Sequence, residues 1–185
     1  MQEAALALNA LFKMSVYLYT GEGAGKTANA LGLALRSVGH DHKVIIIQFL
    51  KWWKNTGEWK IAKKLAPYYK IYQFGRKGWH GFKNLAEKDK ELANEALVFA
   101  EIASKKEKPD LLVLDEINLA CHLGLISENE IINSLKRIKA IKKDMDIILV
   151  GRHAPQALID FSDYANEISV IKMPKKLEAK QGIQY

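Results

Sequence analysis

The sequence predicts an α/β protein, a three-layer sandwich around a mostly parallel sheet, on three observations. Short and almost wholly apolar runs recur along the chain, at residues 16–19, 43–49, 111–114 and 146–150. Such runs suit strands covered on both faces, as in parallel sheets. Helical patterns alternate with them, which is how a crossover returns the chain to a parallel sheet. The first strand also runs straight into a glycine-rich turn that opens a helix, between Met14 and Arg36.

That opening stretch carries the most chemistry. Strand one is expected over residues 14–19 and helix one over 25–38, ending near Gly39, with Leu31, Ala34 and Leu35 on one side. Between them lies Thr20-Gly21-Glu22-Gly23-Ala24-Gly25-Lys26-Thr27. Strand, glycine-rich turn, Gly-Lys-Thr and helix stand in the order of a phosphate-binding loop. The glycines at 21, 23 and 25 let the backbone curl and turn several N–H groups inward. The helix start adds the positive end of its dipole. Lys26 is placed to reach phosphate oxygens as a point charge, and the Thr27 hydroxyl to sit on a magnesium ion. The strict pattern wants glycine six residues before Lys26, where this chain has Thr20, so the match rests on Gly25-Lys26-Thr27 and its flanking strand and helix. The fold expected is therefore that of the phosphate-loop NTPases, of RecA-like type.

Composition narrows the rest. A chain of 185 residues, 49% apolar, has the makings of one domain with a sizeable core, and disorder is excluded. No run has the length of a membrane span, and the start lacks the basic leader and cleavage site of a secretory signal. Cys121 is the sole cysteine, so no internal disulfide forms, which fits the cytoplasm. The net charge of +7 favours anionic partners. Nucleotide phosphates account for part of it, and nucleic acid, which needs a coherent basic face, is not expected.

Residues 1–12 are rich in alanine and leucine and read as a helix packed on the domain, a closing lid or a dimer contact. After the strand at 43–49, all four tryptophans fall between Trp52 and Trp79. A helix is expected over 55–66, stopped by Pro67, and a strand over 69–74. Then Gly75-Arg76-Lys77-Gly78-Trp79-His80-Gly81-Phe82 forms a glycine-punctuated loop carrying large aromatics and basic groups, at a strand end where binding residues gather. Residues 85–106 make a long amphipathic helix, with Leu92, Ala96, Phe99 and Ala103 approximating one face.

Leu111-Leu112-Val113-Leu114-Asp115-Glu116 is the second strong signal, a buried strand delivering two carboxylates at its end. Beside a phosphate loop, Asp115 would hold magnesium through water, and Glu116 is placed to act on an attacking group or to orient a second substrate. Asn118 is within reach of a ligand. Cys121 and His122 lack partners at metal-ligand spacing and read as core. Ser127 and Glu130 make a capping box before a helix to about Ile141. The strand at 146–150 ends in Gly151-Arg152-His153, and the fork of Arg152 suits phosphate oxygens. Pro155 opens a short helix to Phe161. A last strand is expected over 168–173, and residues 174–185 form a basic tail that closes over the ligand or docks on the surface.

Nearly the whole chain resembles the ATP:corrinoid adenosyltransferases built on a phosphate loop. The resemblance lies in TGEGAGKTANALGLALRSVGH, KVIIIQFLK, LLVLDEINLACHLGLI, ILVGRHAP and the ending AKQGIQY. The sequence differs from the usual family pattern at Ala24, often lysine, at Ala28, often threonine, and in the loop Gly78-Trp79-His80-Gly81-Phe82. The resemblance implies transfer of the 5′-deoxyadenosyl group of ATP to the cobalt(I) of a reduced corrinoid, with release of triphosphate. It implies that residues 20–28 and Arg152 hold the triphosphate, that Thr27 and Asp115 place Mg2+, and that Lys26, Glu116 and Arg152 serve catalysis. Asn118 and Glu116 would orient ribose or corrinoid, and Trp79 and Phe82 would lie on the lower corrinoid face. A homodimer and an electron donor such as a flavoprotein are implied as well. Two other readings of the same residues are a phosphate-loop ATPase or small-molecule kinase, and a non-catalytic module that binds ATP and a corrinoid.

Overall fold

The structure is a computed structural model that describes residues 14–78, 81, 84–176 and 178–184. Along the described chain the order is β1 (Val16–Thr20), α1 (Lys26–Val38), β2 (Val44–Phe49), α2 (Gly57–Ala62), β3 (Tyr69–Phe74), α3 (Glu87–Glu107), β4 (Leu111–Asp115), α4 (Ile117–His122), α5 (Glu128–Ile141), β5 (Asp146–Val150), α6 (Gln156–Phe161) and β6 (Tyr164–Glu167). The six strands form one sheet in the order β3-β2-β4-β5-β1-β6, and every pairing is parallel.

The apolar runs explain the layers. Side chains alternate across a strand, so β2 sends Ile45, Ile47 and Phe49 into one core and Val44 and Ile46 into the other. The first core is closed by α3, α4, α5 and α6, through residues such as Ala96, Ile117, Leu135 and Leu158. The second is closed by α1 and α2, through Ala30, Ala34, Trp59 and Ala62. Two helical layers thus enclose the sheet, and each fully buried Ile or Leu contributes about 1.5–3 kcal/mol.

Several elements fall where the sequence puts them, among them β3, β5, α6 and the Ser127 capping box, whose hydroxyl accepts the Glu130 N–H at 3.2 Å. Others differ. The helix expected over 55–66 is the shorter α2, because after Ile61 the N–H groups of Lys64 and Leu65 both turn to its carbonyl and the chain enters a turn before Pro67. On α1 the buried apolar positions are Ala30 and Ala34, while Leu35 is exposed. On α3 the buried stripe is Ala93, Ala96, Leu97, Ala100 and Ala103: Ala96 and Ala103 are buried as expected, while Ala93 and Ala100 take the places of half-buried Leu92 and Phe99. Its alanines let the helix lie close on β2 and β3, and Phe99 packs beside Tyr72 and Phe74 at 4.6 and 5.3 Å between centroids.

The strand expected over 168–173 is absent, and the last strand is β6, directly before it. Among the described residues strand β6 pairs only with β1, and β1 ends at Thr20. Beyond that point no described strand lies alongside it, so Ile168 donates its N–H to the Thr20 carbonyl, its own carbonyl accepts the Gly23 N–H, and Ile171 stands exposed. Residues 1–12 lie outside the described residues, and the described part of the 174–185 tail is exposed. Among the described residues no helix is long and apolar enough to cross a membrane.

Candidate functional site

Strands β4, β5 and β1 are neighbours, so Asp115, Gly151 and Thr20 arrive side by side at the carboxyl edge of the sheet. The loop after β1 is shaped by its glycines. Gly21 and Gly25 have φ of 96° and 108°, a region that disfavours side chains. A Cβ on Gly21 would meet the Ile168 carbonyl at 2.5 Å, and one on Gly23 would meet it at 2.7 Å. The Thr20 hydroxyl accepts the Ala154 N–H at 3.1 Å and ties this loop to the one after β5.

Lys26 is buried, and its ammonium donates to the carbonyls of Gly21 and Gly23 at 2.6 and 2.7 Å. Burial first, and the Arg152 guanidinium second, hold its pKa below the usual lysine value. Thr27, on the first turn of α1, donates its hydroxyl hydrogen to Asp115 Oδ1 at 3.0 Å. Asp115 is 1% exposed. Its Oδ2 accepts from Lys51 Nζ at 2.6 Å and from Gln48 Nε2 at 2.9 Å, and Lys51 Nζ also reaches Thr27 Oγ1 at 3.4 Å. Burial works against the Lys51 ammonium, but Asp115 and then Glu116 outweigh it and its pKa is raised.

Glu116 takes a left-handed conformation, φ 66°, where β4 turns into α4. Burial, reinforced by the Asp115 charge, raises its carboxyl pKa, and one of its oxygens is buried without a hydrogen-bond partner among the described residues. Arg152 is 49% exposed and lies 3.6 Å from Glu22 Oε2, while His153 Nε2 stands 3.4 Å from Oε1 of the same carboxylate. The result is a rim of Arg152, His153 and Glu22 beside a floor of buried Lys26 and Asp115 and half-buried Thr27 and Lys51.

The model of a family described as "ATP:corrinoid adenosyltransferase BtuR/CobO/CobP" matches residues 13–185. The chain belongs to this family. It transfers the adenosyl group of ATP to corrinoid cobalt, the chemistry of adenosylcobalamin biosynthesis. It is similar to a corrinoid adenosyltransferase of Sinorhizobium sp., 27% identical over 187 residues, which cover 100% of this chain and 86% of the relative. It is also similar to the corrinoid adenosyltransferases of Pseudomonas aeruginosa, at 25% identity over 91% of this chain and 82% of the relative, and of Escherichia coli K12, at 26% over 92% and 85%.

Against this family background the remaining positions sort by their contacts. Asn118 is fully buried and donates to the carbonyls of Tyr19 and Gly151 at 3.3 and 3.2 Å, so it straps the ends of β1 and β5 together beneath the site. Ala24 and Ala28 are exposed at the loop. Trp79 and Phe82 lie outside the described residues; the start of their loop is held by Arg76, which pairs with Asp89 at 2.9 Å and donates to the Asn84 carbonyl. Cys121 packs in the core and its thiol pKa is pushed up to about 11 by burial.

Sequence reasoning missed Lys51 and Gln48 as members of the site. Gln48 is the one polar residue of the otherwise apolar β2, a signal that was available; Lys51, past the strand end of a basic chain, lay in the family-like segment KVIIIQFLK but had no local pattern that placed it in the site. Among the described residues no three His, Cys, Asp or Glu side chains cluster as a metal cage. A magnesium ion does not require one, since it binds through one or two carboxylates plus phosphate oxygens and water. The Thr27 hydroxyl and Asp115 carboxylate, with Glu116 adjacent, fit that donor set.

Proposed function

We propose that the loop of residues 20–28 grips the whole triphosphate of ATP as a leaving group, in one phosphate-loop domain of RecA-like type. The parallel strand order, with the glycine-rich loop between β1 and α1, supports that reading of the fold. The reduced corrinoid is the nucleophile: a bond forms between cobalt and the ribose 5′ carbon, the carbon–oxygen bond to the triphosphate breaks, and triphosphate departs with the electron pair. The chain needs no general base for this step, and its work is to position the reactants and to stabilise growing negative charge.

Each residue has a part in that scheme. Lys26 exchanges its bonds to the Gly21 and Gly23 carbonyls for phosphate oxygens. Arg152 leaves Glu22 for the same oxygens, where its fork is suited to bind them. Thr27 and Asp115 would hold Mg2+, which supplies charge neutralisation on the departing triphosphate. Glu116, buried with an unpaired oxygen, accepts a hydroxyl hydrogen of the ribose or corrinoid, and Asn118 keeps the strand ends in register. Trp79 and Phe82 are assigned to corrinoid binding. A homodimer and a flavoprotein electron donor complete the proposal.

The observation that carries the reading is the 3.0 Å contact between Thr27 and Asp115, which joins the phosphate loop to the acidic strand end. The test is anaerobic incubation with ATP, Mg2+ and a reduced corrinoid, following the corrinoid spectrum and the phosphate product. Adenosylated corrinoid and triphosphate are expected in equal amounts. Orthophosphate or ADP without adenosylated corrinoid would overturn the scheme.

A further inference from the structure

The ammonium of Lys51 sits on the same two side chains that are assigned to the metal. It is 2.6 Å from Asp115 Oδ2 and 3.4 Å from Thr27 Oγ1. A divalent cation held by Thr27 and Asp115 would stand within a few ångströms of that ammonium, and like charges so close in a partly desolvated site repel strongly.

The position of Lys51 is built by the fold. Strand β2 ends at Phe49, and Leu50 then takes a left-handed turn, φ 59°, with its N–H on the Phe74 carbonyl at 2.9 Å. The chain at Lys51 passes so close to Gly75 that a Cβ there would lie 2.5 Å from the Lys51 nitrogen. The same Asp115 oxygen is also held from within the sheet. Gln73, Gln48 and Asp115 stand in register across β3, β2 and β4. Gln73 donates to Gln48 Oε1 at 2.9 Å, and Gln48 donates to Asp115 Oδ2 at 2.9 Å. Chains of hydrogen bonds running in one direction polarise each other and resist rotation of their members. The carboxylate is thus fixed facing Thr27 on one oxygen and Lys51 on the other.

We propose that Lys51 is a built-in counter-ion that keeps the Thr27–Asp115 pair from binding a divalent cation until nucleotide arrives. The proposal rests on the assignment of Thr27 and Asp115 to the metal. When the triphosphate enters, the ammonium gains a second anionic partner and swings toward it, and the metal enters already bound to phosphate. Metal and nucleotide binding are then positively coupled, and by linkage each raises the affinity of the other. Lys51 acts here as a positioning residue.

Mn2+, which takes the same oxygen ligands as Mg2+, serves as the probe on the full chain. Without ATP, the protein and Lys51→Arg should bind Mn2+ weakly. Lys51→Met and Lys51→Gln, which remove the charge, should bind it at least about ten-fold more tightly, the effect of taking a unit charge away from a dication. The neutral glutamine can still hydrogen-bond Asp115 and guards against misfolding of the methionine variant. Mn2+ should also raise the Tm of the neutral variants more than that of the parent. With ATP present the affinities should converge. Equal ATP-free Mn2+ affinity in parent and neutral variants would overturn the proposal. The metal assignment itself is tested separately: with ATP, Asp115→Asn should weaken Mn2+ binding, and no weakening would remove that assignment and the proposal with it.

Discussion

At the scale of single residues, the floor of the site is held by internal bonds that ligands must replace. Lys26 already donates to the carbonyls of Gly21 and Gly23, and in the proposed scheme phosphate oxygens would gain this ammonium only in exchange for those bonds. Lys26→Ala should lower the rate of adenosyl transfer by at least about 10²–10³-fold, the usual effect of deleting one group that stabilises transition-state charge. Initial rates under anaerobic conditions measure this, and unchanged turnover would remove Lys26 from the site. Lys26, Thr27 and Asp115 were legible in the sequence because each abuts a strand or helix end whose local pattern announces it. Lys51 was not, because its role depends on the left-handed turn at Leu50 and on a carboxylate 64 positions away.

At the scale of elements, the glycine-rich loop after β1 and the exit of β6 form one unit. Gly23 and Thr20 exchange backbone hydrogen bonds with Ile168, at 2.7 and 2.9 Å. Gly21→Ala combines a positive φ with a Cβ that would meet Ile168 backbone at 2.5 Å. It should cost about 2 kcal/mol or more of stability and weaken ATP binding, because the loop and the β6 exit must both shift. Urea unfolding and ATP titration of the variant measure the two effects, and a variant with parental stability and affinity would show that the close approach is unimportant. The location of β6 escaped the sequence for a related reason. Tyr164-Ala165-Asn166-Glu167 is exposed and has no strand-like pattern, yet it pairs in register with residues 17–20 and stacks Tyr164 on Tyr17 at 4.8 Å. The more apolar residues that follow have no strand to pair with among the described residues.

At the scale of the whole molecule, the end of the sheet opposite the site is fastened by Asp110. This carboxylate accepts the Lys43 N–H at 2.7 Å and pairs with the Lys142 ammonium, so it joins the starts of β2 and β4 to the end of α5. Burial works against its charge, but the hydrogen bonds from Lys142 and Lys43 outweigh it, and its pKa falls below the ordinary 3.8. A carboxyl group depressed on folding adds stability above its unfolded pKa and loses it as pH falls through the folded value. Asp110→Asn should therefore destabilise the protein by about 1–2 kcal/mol at neutral pH, the scale of charge-assisted hydrogen bonds. The gap to the parent should close as the pH drops below 3.8. Denaturant unfolding across that range checks the sign, and a gap that widens on acidification would contradict it.

The sequence by itself determined the class of fold, the glycine-rich loop between the first strand and helix and the acidic strand end, and it carried the motifs that mark the family. These are local: apolar periodicity sets strands and helices, and glycines with Gly-Lys-Thr set the loop. Only the tertiary structure decided which strand ends stand side by side, that β6 precedes the expected strand, and that Asn118 is a strap between strands. It alone placed Lys51 against Asp115 and Thr27, through a register of Gln73, Gln48 and Asp115 across three strands. The reason is physical: parallel pairing brings together residues far apart in the chain, and the charge and burial they then share belong to the sheet edge and to no single segment.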